Sequence, residues 1–481
     1  MPTTQGQVDL ADYLAGFFES HGAVVERDGF GNVVARLAGR GALADAPPLA
    51  LMVHLDTAPG TLAVPSLTCA EAWDGSALSY SGNPGLRVDT EVYPSLAAFV
   101  GQDVLHGPGV APFGLDDKLG LAHLMTLARL LAAEPELPHL PLLLVGRPDE
   151  EVGRDAALIG LAARLAELGV TRGYTVDGID PFEINLENFE AAGGSLTFAA
   201  ESAPDRPLHR LHLRGVNTHG ATAAAEGHRP APRLASELRR AVQDTGIEFW
   251  DFRSDPARDC DAELRVFLPT GTEAELRAAL EQVFAEHRVR GASWTLEPAP
   301  PGPVVGRRPT EAMLRFVSGF LDSGAGVPLA AEDSAERQGY TQPYRAEVDE
   351  QGLRLDLRIR DFEPSGLRER QAHVRRCAET MAPAAIVRFA DQYTNMGPRL
   401  APAPELRTWA RDAAVACGLD APLRPIRGGT GIDPMLDAGV LLGNLGTGYF
   451  APESEKELTS RQQLAQHALW LVALAQLAHA G

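Results

Sequence analysis

Only four cysteines occur in 481 residues, and Cys69, Cys260, Cys377 and Cys417 are too scattered for a disulfide scaffold or a paired metal-binding motif. A reducing cytoplasm is therefore the expected compartment. No stretch approaches the roughly 20 uninterrupted apolar residues that a membrane span needs, so no membrane partner is expected. The start, MPTTQGQVDLADYLAGFF, lacks a basic segment ahead of its apolar residues and carries Asp9; it predicts an amphipathic helix and not a signal peptide. Lysine is scarce: Lys118 and Lys456 are the only two, so arginine carries nearly all the positive charge, a bias that codon usage alone can produce. Positive charge also falls short of negative. With 43 basic and 64 acidic residues the formal charge is −21, which repels a phosphate backbone and argues against general nucleic-acid binding.

The chain is longer than one hydrophobic core usually supports, which predicts at least two domains. Up to about residue 200, strand and helix patterns alternate, as in an α/β domain with a largely parallel sheet. PLALMVHL (48–55), LPLLLVGR (140–147) and GYTVDG (173–178) read as strands buried on both faces. Helical periodicity separates them in LAHLMTLARLLAA (121–133) and ALIGLAARLAELG (157–169). From about 206 to 392 the strands alternate polar and apolar residues between Arg- and Glu-rich helices, the pattern of an α+β domain with a half-exposed sheet. Pro- and Gly-containing stretches flank it, and LRTWARDAAVACGL, GVLLGNLG and QQLAQHALWLVALAQLA then read as helix, buried strand and helix. The predicted organisation is a catalytic domain in two parts, 1–205 and 393–481, with an inserted lid domain at 206–392. Within the insert a strand-helix-strand-strand-helix-strand series at 209–297 is echoed by helix-strand-strand-helix-strand at 308–391, which predicts an internal duplication.

The polar residues of interest fall where the strands of the first domain end, the edge at which open α/β sheets bind ligands. In MVHLDT, His54 and Asp56 are two apart on a strand end and share a face, which suits a metal-binding imidazole steadied by a carboxylate. Thirteen histidines make one such pair unremarkable by chance. In GLDDKLG, Asp116 and Asp117 precede a long apolar helix, where an acidic N-cap is the plain alternative. In RPDEEVGRDA, Glu150 and Glu151 follow a buried strand; they are either a solvated loop or a pair that divides metal ligation from general-base work. Asp177 in YTVDG ends another strand. Together these supply one imidazole and several carboxylates at successive strand ends, a donor set zinc hydrolases use.

HLD, GLDDKLG, PDEEVG, TVDG with the following ENFEAA, NTHGATA, IRDFE, DQYTNM and PIRGGT resemble, in that order, the peptidase T family of tripeptidases. The resemblance covers residues 8–225 and 336–475, and extends more loosely to the two-zinc superfamily that includes carboxypeptidase G and aminoacylase. It implies a zinc-aminopeptidase-like α/β catalytic domain with an inserted α+β, ferredoxin-like lid. It also implies roles. His54 and Asp177 would hold one zinc, Asp116 would bridge two and Glu151 would hold the second, with the ions about 3.5–4 Å apart. Asp56 would orient His54, the Asp116–Asp117 peptide would be cis, and Glu150 would be the general base. His219 in NTHGATA matches an oxyanion-stabilising histidine. Arg360 and Arg427 match positions suited to clamping a peptide carboxylate, with a surface ion pair as the equal alternative for each.

The sequence also departs from that pattern. The family carries its last zinc-binding histidine near the C-terminus, shortly before a glutamate; here the stretch reads GTGYFAPESEKELTS, without histidine. His467, the nearest, lies on the apolar terminal helix, where a structural role is expected. Placing Glu457 on the family's glutamate brings Glu453 to the histidine position. The acidic residue after GGT is also missing, since the chain reads GGTGID. The expected complement is one tightly held Zn2+ and a second, weaker site open to Mn2+ or Mg2+, with short peptides as the partner and a monomer or homodimer as the assembly. Extra residues between about 247 and 335, read as a second half-lid, favour the monomer. The competing readings are a deacylase or dipeptidase of the same superfamily and a catalytically impaired homologue that binds peptide or metal.

Overall fold

The computed structural model describes residues 2–62, 66–202, 206–324 and 330–479. It divides into two compact units: Met1–Gly75, Leu96–Asn188 and Thr394–Gly481 form the first, Ser76–Ser95 and Phe189–Tyr393 the second.

The first unit is built on a seven-stranded sheet in the order Val24–Arg27, Val33–Leu37, Leu142–Arg147, Leu49–His54, Arg172–Gly178, Leu441–Gly446, Ile184–Asn185. The four strands from Leu142–Arg147 to Leu441–Gly446 run parallel, and the flanking pairings are antiparallel. LALMVH and LLLVGR are buried at every residue, as the unbroken apolar runs predict for strands covered on both faces. Helices Gln5–Ser20, Leu115–Ala133, Asp155–Glu167, Glu405–Ala416 and Arg461–Leu477 contribute residues such as Leu14, Leu124, Leu161, Ala410 and Trp470 to the same core. The predicted strands and helices of this unit all form.

The second unit holds two four-stranded antiparallel sheets. One runs Glu248–Ser254, Asp261–Phe267, His209–Arg214, Ser293–Pro298; the other runs Tyr340–Asp349, Gly352–Asp361, Glu190–Ala199, Ile386–Tyr393. Followed along the chain, each is strand-helix-strand-strand-helix-strand, with the strand that comes first in sequence lying between the third and fourth. The helices are Ala231–Ala241 and Glu273–Phe284 in one, Arg307–Asp322 and Pro364–Met381 in the other. These are two ferredoxin-like repeats, the first spliced into the second between Glu190–Ala199 and Arg307–Asp322. The expected boundary at 206 differs from the observed one for a clear reason. Glu190–Ala199 is a central strand of the second sheet, and its partners Gly352–Asp361 and Ile386–Tyr393 lie far along the chain. The two sheets meet at their edges, where the Ala346 N–H donates to Ser254 Oγ at 2.9 Å. No helix among the described residues is long and apolar enough to cross a membrane.

Candidate metal centre

The carboxyl ends of the four parallel strands and the loops beyond them bring the candidate residues of the first unit together. His54 closes strand Leu49–His54 with its ring buried. Nδ1 lies 3.0 Å from the Asp56 backbone oxygen and 3.3 Å from its Oδ1; Nε2 lies 2.8 Å from Asp116 Oδ1 and 3.5 Å from Asp177 Oδ1. The Asp56 carboxylate does more than face the ring. Its two oxygens accept the backbone N–H groups of Glu150 and Glu151 at 3.0 and 2.9 Å, which fixes the loop after Leu142–Arg147 against the end of the neighbouring strand.

The two aspartates of GLDDKLG divide the roles between them. Helix Leu115–Ala133 opens with non-helical backbone at Asp116 and Asp117, joined by a cis peptide. Asp117 acts as the cap: its Oδ1 accepts the Gly120 N–H at 3.0 Å, and its Oδ2 accepts the His54 N–H at 3.1 Å. Gly120 must lack a side chain, because a Cβ there would stand 2.1 Å from the Val176 oxygen and 2.3 Å from Asp117 Oδ1. Asp116 is left to face His54, and its Oδ2 accepts the Tyr449 hydroxyl at 3.0 Å.

Two further residues organise the site. Tyr449 has no signal in the sequence, whereas Glu457 stands where the resemblance placed the family's glutamate. Buried Glu457 accepts the N–H groups of Phe113, Gly114 and Leu115 on Oε2 at 2.9, 2.8 and 3.2 Å, and that of Glu453 on Oε1 at 3.0 Å. One carboxylate thereby joins the loop bearing Asp116 to the loop bearing Glu453.

Two groups of potential ligands result: His54, Asp116 and Asp177, and Asp116, Glu151 and Glu453. Within each, the donor atoms all lie within 4.8 Å of one another. Several carboxylates so close to one imidazole repel each other. Burial and the Asp116 carboxylate push Asp177 up to about 7. Burial, with the charges of Glu453 and Asp116, pushes Glu151 well above the usual carboxylate range. For His54 burial pulls downward, but Asp177, Asp116 and Asp56 outweigh it and raise the ring well above its ordinary value. Glu151 Oε1 is buried without a hydrogen-bond partner, a costly arrangement unless a cation takes the place of the missing donor. The residues present thus fit a metal pair.

A pH test follows from these shifts. Asp177 rises from the ordinary 3.8 to about 7 in the folded chain. Across that window the metal-free fold binds more protons than the unfolded chain, so this group's contribution to stability falls as pH rises. Metal ions displace those protons and remove the penalty. The difference in Tm between metal-loaded and chelator-stripped protein is therefore expected to widen by several degrees from about pH 5 to pH 7. Differential scanning fluorimetry in both states checks it, and a constant or shrinking difference refutes it.

The remaining sequence candidates belong to neither ligand group. His219 belongs to the second unit; its Nδ1 accepts the Ala221 N–H at 3.2 Å, which makes Nε2–H the ring's donor. Arg360, in the same unit, gives Nη1 to the Ala192 and Ile359 oxygens and to Gln392 Oε1, and lies over the Tyr393 ring at 5.3 Å. Arg427 is half-buried in the first unit, one residue after Ile426, whose N–H donates to the Glu187 oxygen. His467 is structural: Nδ1 lies 2.8 Å from the Gln463 oxygen, Nε2 accepts the Phe182 N–H, and the ring stacks between His123 and Phe182.

Solved structures share this fold over nearly the whole chain. An aminoacylhistidine dipeptidase from Vibrio alginolyticus superposes with a TM-score of 0.53 at 17% identity, covering 98% of this chain and 93% of that one. The aminopeptidase PepT from Bacillus cereus ATCC 10987 gives 0.52 at 16% identity, with 99% and 94% covered. The chain shares the fold of these two proteins. In sequence the chain is similar to peptidase T over about half its length. It is 30% identical to peptidase T of Bacillus cereus (strain ATCC 10987) over 242 residues, 50% of this chain and 53% of that protein. It is 32% identical to peptidase T of Exiguobacterium sp. (strain ATCC BAA-1283 / AT1b) over 201 residues, 41% and 47% of the two. The chain thus spans about half the length of the curated relatives it matches. No protein-family model matches it.

Proposed function

We propose that the chain is a cytoplasmic, zinc-dependent aminopeptidase that hydrolyses an amide bond in di- and tripeptides. The observation that carries this reading is the pair of ligand groups sharing Asp116, set beside a carboxylate, Glu150, that belongs to neither. Likeness to peptidase T supports the substrate class, and four free cysteines support a reducing compartment. His54, Asp116 and Asp177 form a three-ligand set of imidazole and carboxylates suited to zinc, whereas the all-carboxylate set Asp116, Glu151 and Glu453 is harder and accepts Mn2+ or Mg2+ as well. Bound divalent ions would polarise the scissile carbonyl and acidify the attacking water.

The chain's own residues do the rest. Glu150 takes the water's proton and returns it to the leaving amine. Asp56 holds the His54 ring and the Glu150–Glu151 backbone in one register. We assign oxyanion stabilisation to His219 through Nε2–H, and recognition of the peptide carboxylate to Arg360 and Arg427, on their match to the family's motifs. The deciding experiment loads metal-free protein with Zn2+, Mn2+ or Mg2+, measures bound metal by elemental analysis, and assays di- and tripeptides beside N-acyl amino acids. Activity is expected to rise with added metal and to favour short peptides with a free amine. Hydrolysis of N-acyl amino acids alone would move the assignment to a deacylase, and none at all would leave a metal-binding homologue.

We also propose that the protein is a monomer. Both ferredoxin-like repeats reside in one chain and meet through Ala346 and Ser254 at their sheet edges, an arrangement that supplies internally the edge pairing a second copy would otherwise provide. Light scattering is expected to give the mass of one 51.3 kDa chain; a stable dimer at micromolar concentration excludes the proposal.

A further inference from the structure

Arg147 ends strand Leu142–Arg147 and stands beside His54 in the parallel register. Its side chain is only 7% exposed, and its guanidinium is committed on two sides. Nη2 donates to Glu150 Oε1 at 2.9 Å and to the Thr430 oxygen at 3.1 Å; Nη1 donates to the Gly431 oxygen at 3.0 Å. Both Nη2 hydrogens are thus in use. Gly431 allows this approach because it has no side chain: its φ is +55°, and a Cβ would stand 2.9 Å from Glu150 Oε1 and 3.0 Å from Arg147 Nη2. A cavity of about 20 Å³ lined by Arg147, Glu150 and Gly431 adjoins the pair. That is room for one water and too little for a peptide carboxylate, so Arg147 is not placed to grip substrate.

We infer that Arg147 is a positioning residue for Glu150, an assignment that rests on Glu150 being the general base. Glu150 follows the strand in a loop beside Glu151, a carboxylate of the same charge. Without a partner, its side chain is free to swing away from the cluster. The buried guanidinium, itself anchored by two backbone carbonyls, fixes Oε1 by a charge-assisted hydrogen bond. Oε2, which accepts no hydrogen bond among the described residues, is then the oxygen presented to water. The strand end and the loop at Thr430 and Gly431 together hold the base, and Arg147 is the link between them.

The test uses full-length, metal-loaded protein. Arg147→Ala is expected to lower kcat by about 10²-fold, the loss typical of a misplaced reacting group, with KM and bound metal unchanged. Millimolar guanidinium is expected to restore about a tenth of the lost rate in Arg147→Ala and nothing in Glu150→Gln. A crystal structure of Arg147→Ala should show the Glu150 carboxylate rotated from its place. Arg147→Lys keeps the charge without the fork; it is expected to fold and to lose about tenfold in kcat, which carries the test if Arg147→Ala does not fold. Wild-type kcat in Arg147→Lys, or a kcat loss in Arg147→Ala that guanidinium does not relieve, overturns the proposal. Turnover by Glu150→Gln, in contrast, removes the base assignment itself, so the two failures are distinguishable.

Discussion

Replacing Glu150 by Gln is expected to lower kcat by about 10³-fold, within the range a general base contributes, while bound metal and Tm stay close to wild type. The expectation follows from where the side chain sits. Glu150 belongs to neither ligand group, so the substitution removes no donor. Its backbone N–H, which donates to Asp56 Oδ1, is untouched. A glutamine carbonyl oxygen can still accept from Arg147 Nη2, at the 2.9 Å that Oε1 now occupies, so the loop keeps its anchor and the buried guanidinium keeps a partner. What disappears is the capacity to take a proton. Steady-state kinetics, elemental analysis and a thermal melt on the same preparation check all three parts. A variant that loses metal together with activity would show Glu150 to be a ligand, and one that keeps its kcat would show that another group accepts the proton.

The backbone beneath the site is largely legible in the sequence. The runs LALMVH, LLLVGR and TVDG were unbroken enough to be strands, and a polar residue at the end of each pointed to one edge of one sheet. His54, Asp116, Glu150, Glu151 and Asp177 could be singled out because each lies at a strand end or a helix start that local pattern marks. The contacts that hold them in place could not. Tyr449 reaches Asp116, Glu457 reaches the N–H groups of 113–115, and the Thr430 and Gly431 carbonyls reach Arg147. Each joins segments hundreds of residues apart, through groups whose local surroundings resemble any loop. The same holds for Glu190–Ala199. Its EAAGGSLTFA shows no clean alternation, because Gly193 and Gly194 contribute no side chain to the pattern. Only its partners reveal that it belongs with the second ferredoxin-like repeat. The aspartate pair of GLDDKLG shows a subtler limit. Capping and ligation are rival readings of one motif, and the structure separates its two residues: Asp117 bonds to Gly120, while Asp116 faces His54.

Glu453→Ala is expected to weaken the second metal at least about tenfold to a hundredfold, the loss that even supporting residues of metal sites produce, while the first metal stays bound. The prediction turns on counting donors. His54, Asp116 and Asp177 remain for one ion; removing Glu453 leaves the other with Glu151 and the shared Asp116. Glu453 is also well prepared for the role. Its backbone is left-handed, with φ of 54°, and its N–H is tied to Glu457 Oε1, so the side chain extends from a braced loop. Glu453→His should act in the opposite sense for zinc. Imidazole is a softer donor than carboxylate, histidine is among the residues that tolerate positive φ, and exchanging an anion for a neutral ring relieves the repulsion that now lifts Glu151. Zinc affinity at the second site should therefore rise, and its preference over Mn2+ and Mg2+ should sharpen. Competitive titration with a chromophoric chelator resolves two dissociation constants per chain. Two ions bound with wild-type affinity in Glu453→Ala would remove Glu453 from the metal centre, and a Glu453→His protein with no gain for zinc would place the second ion's remaining donor elsewhere.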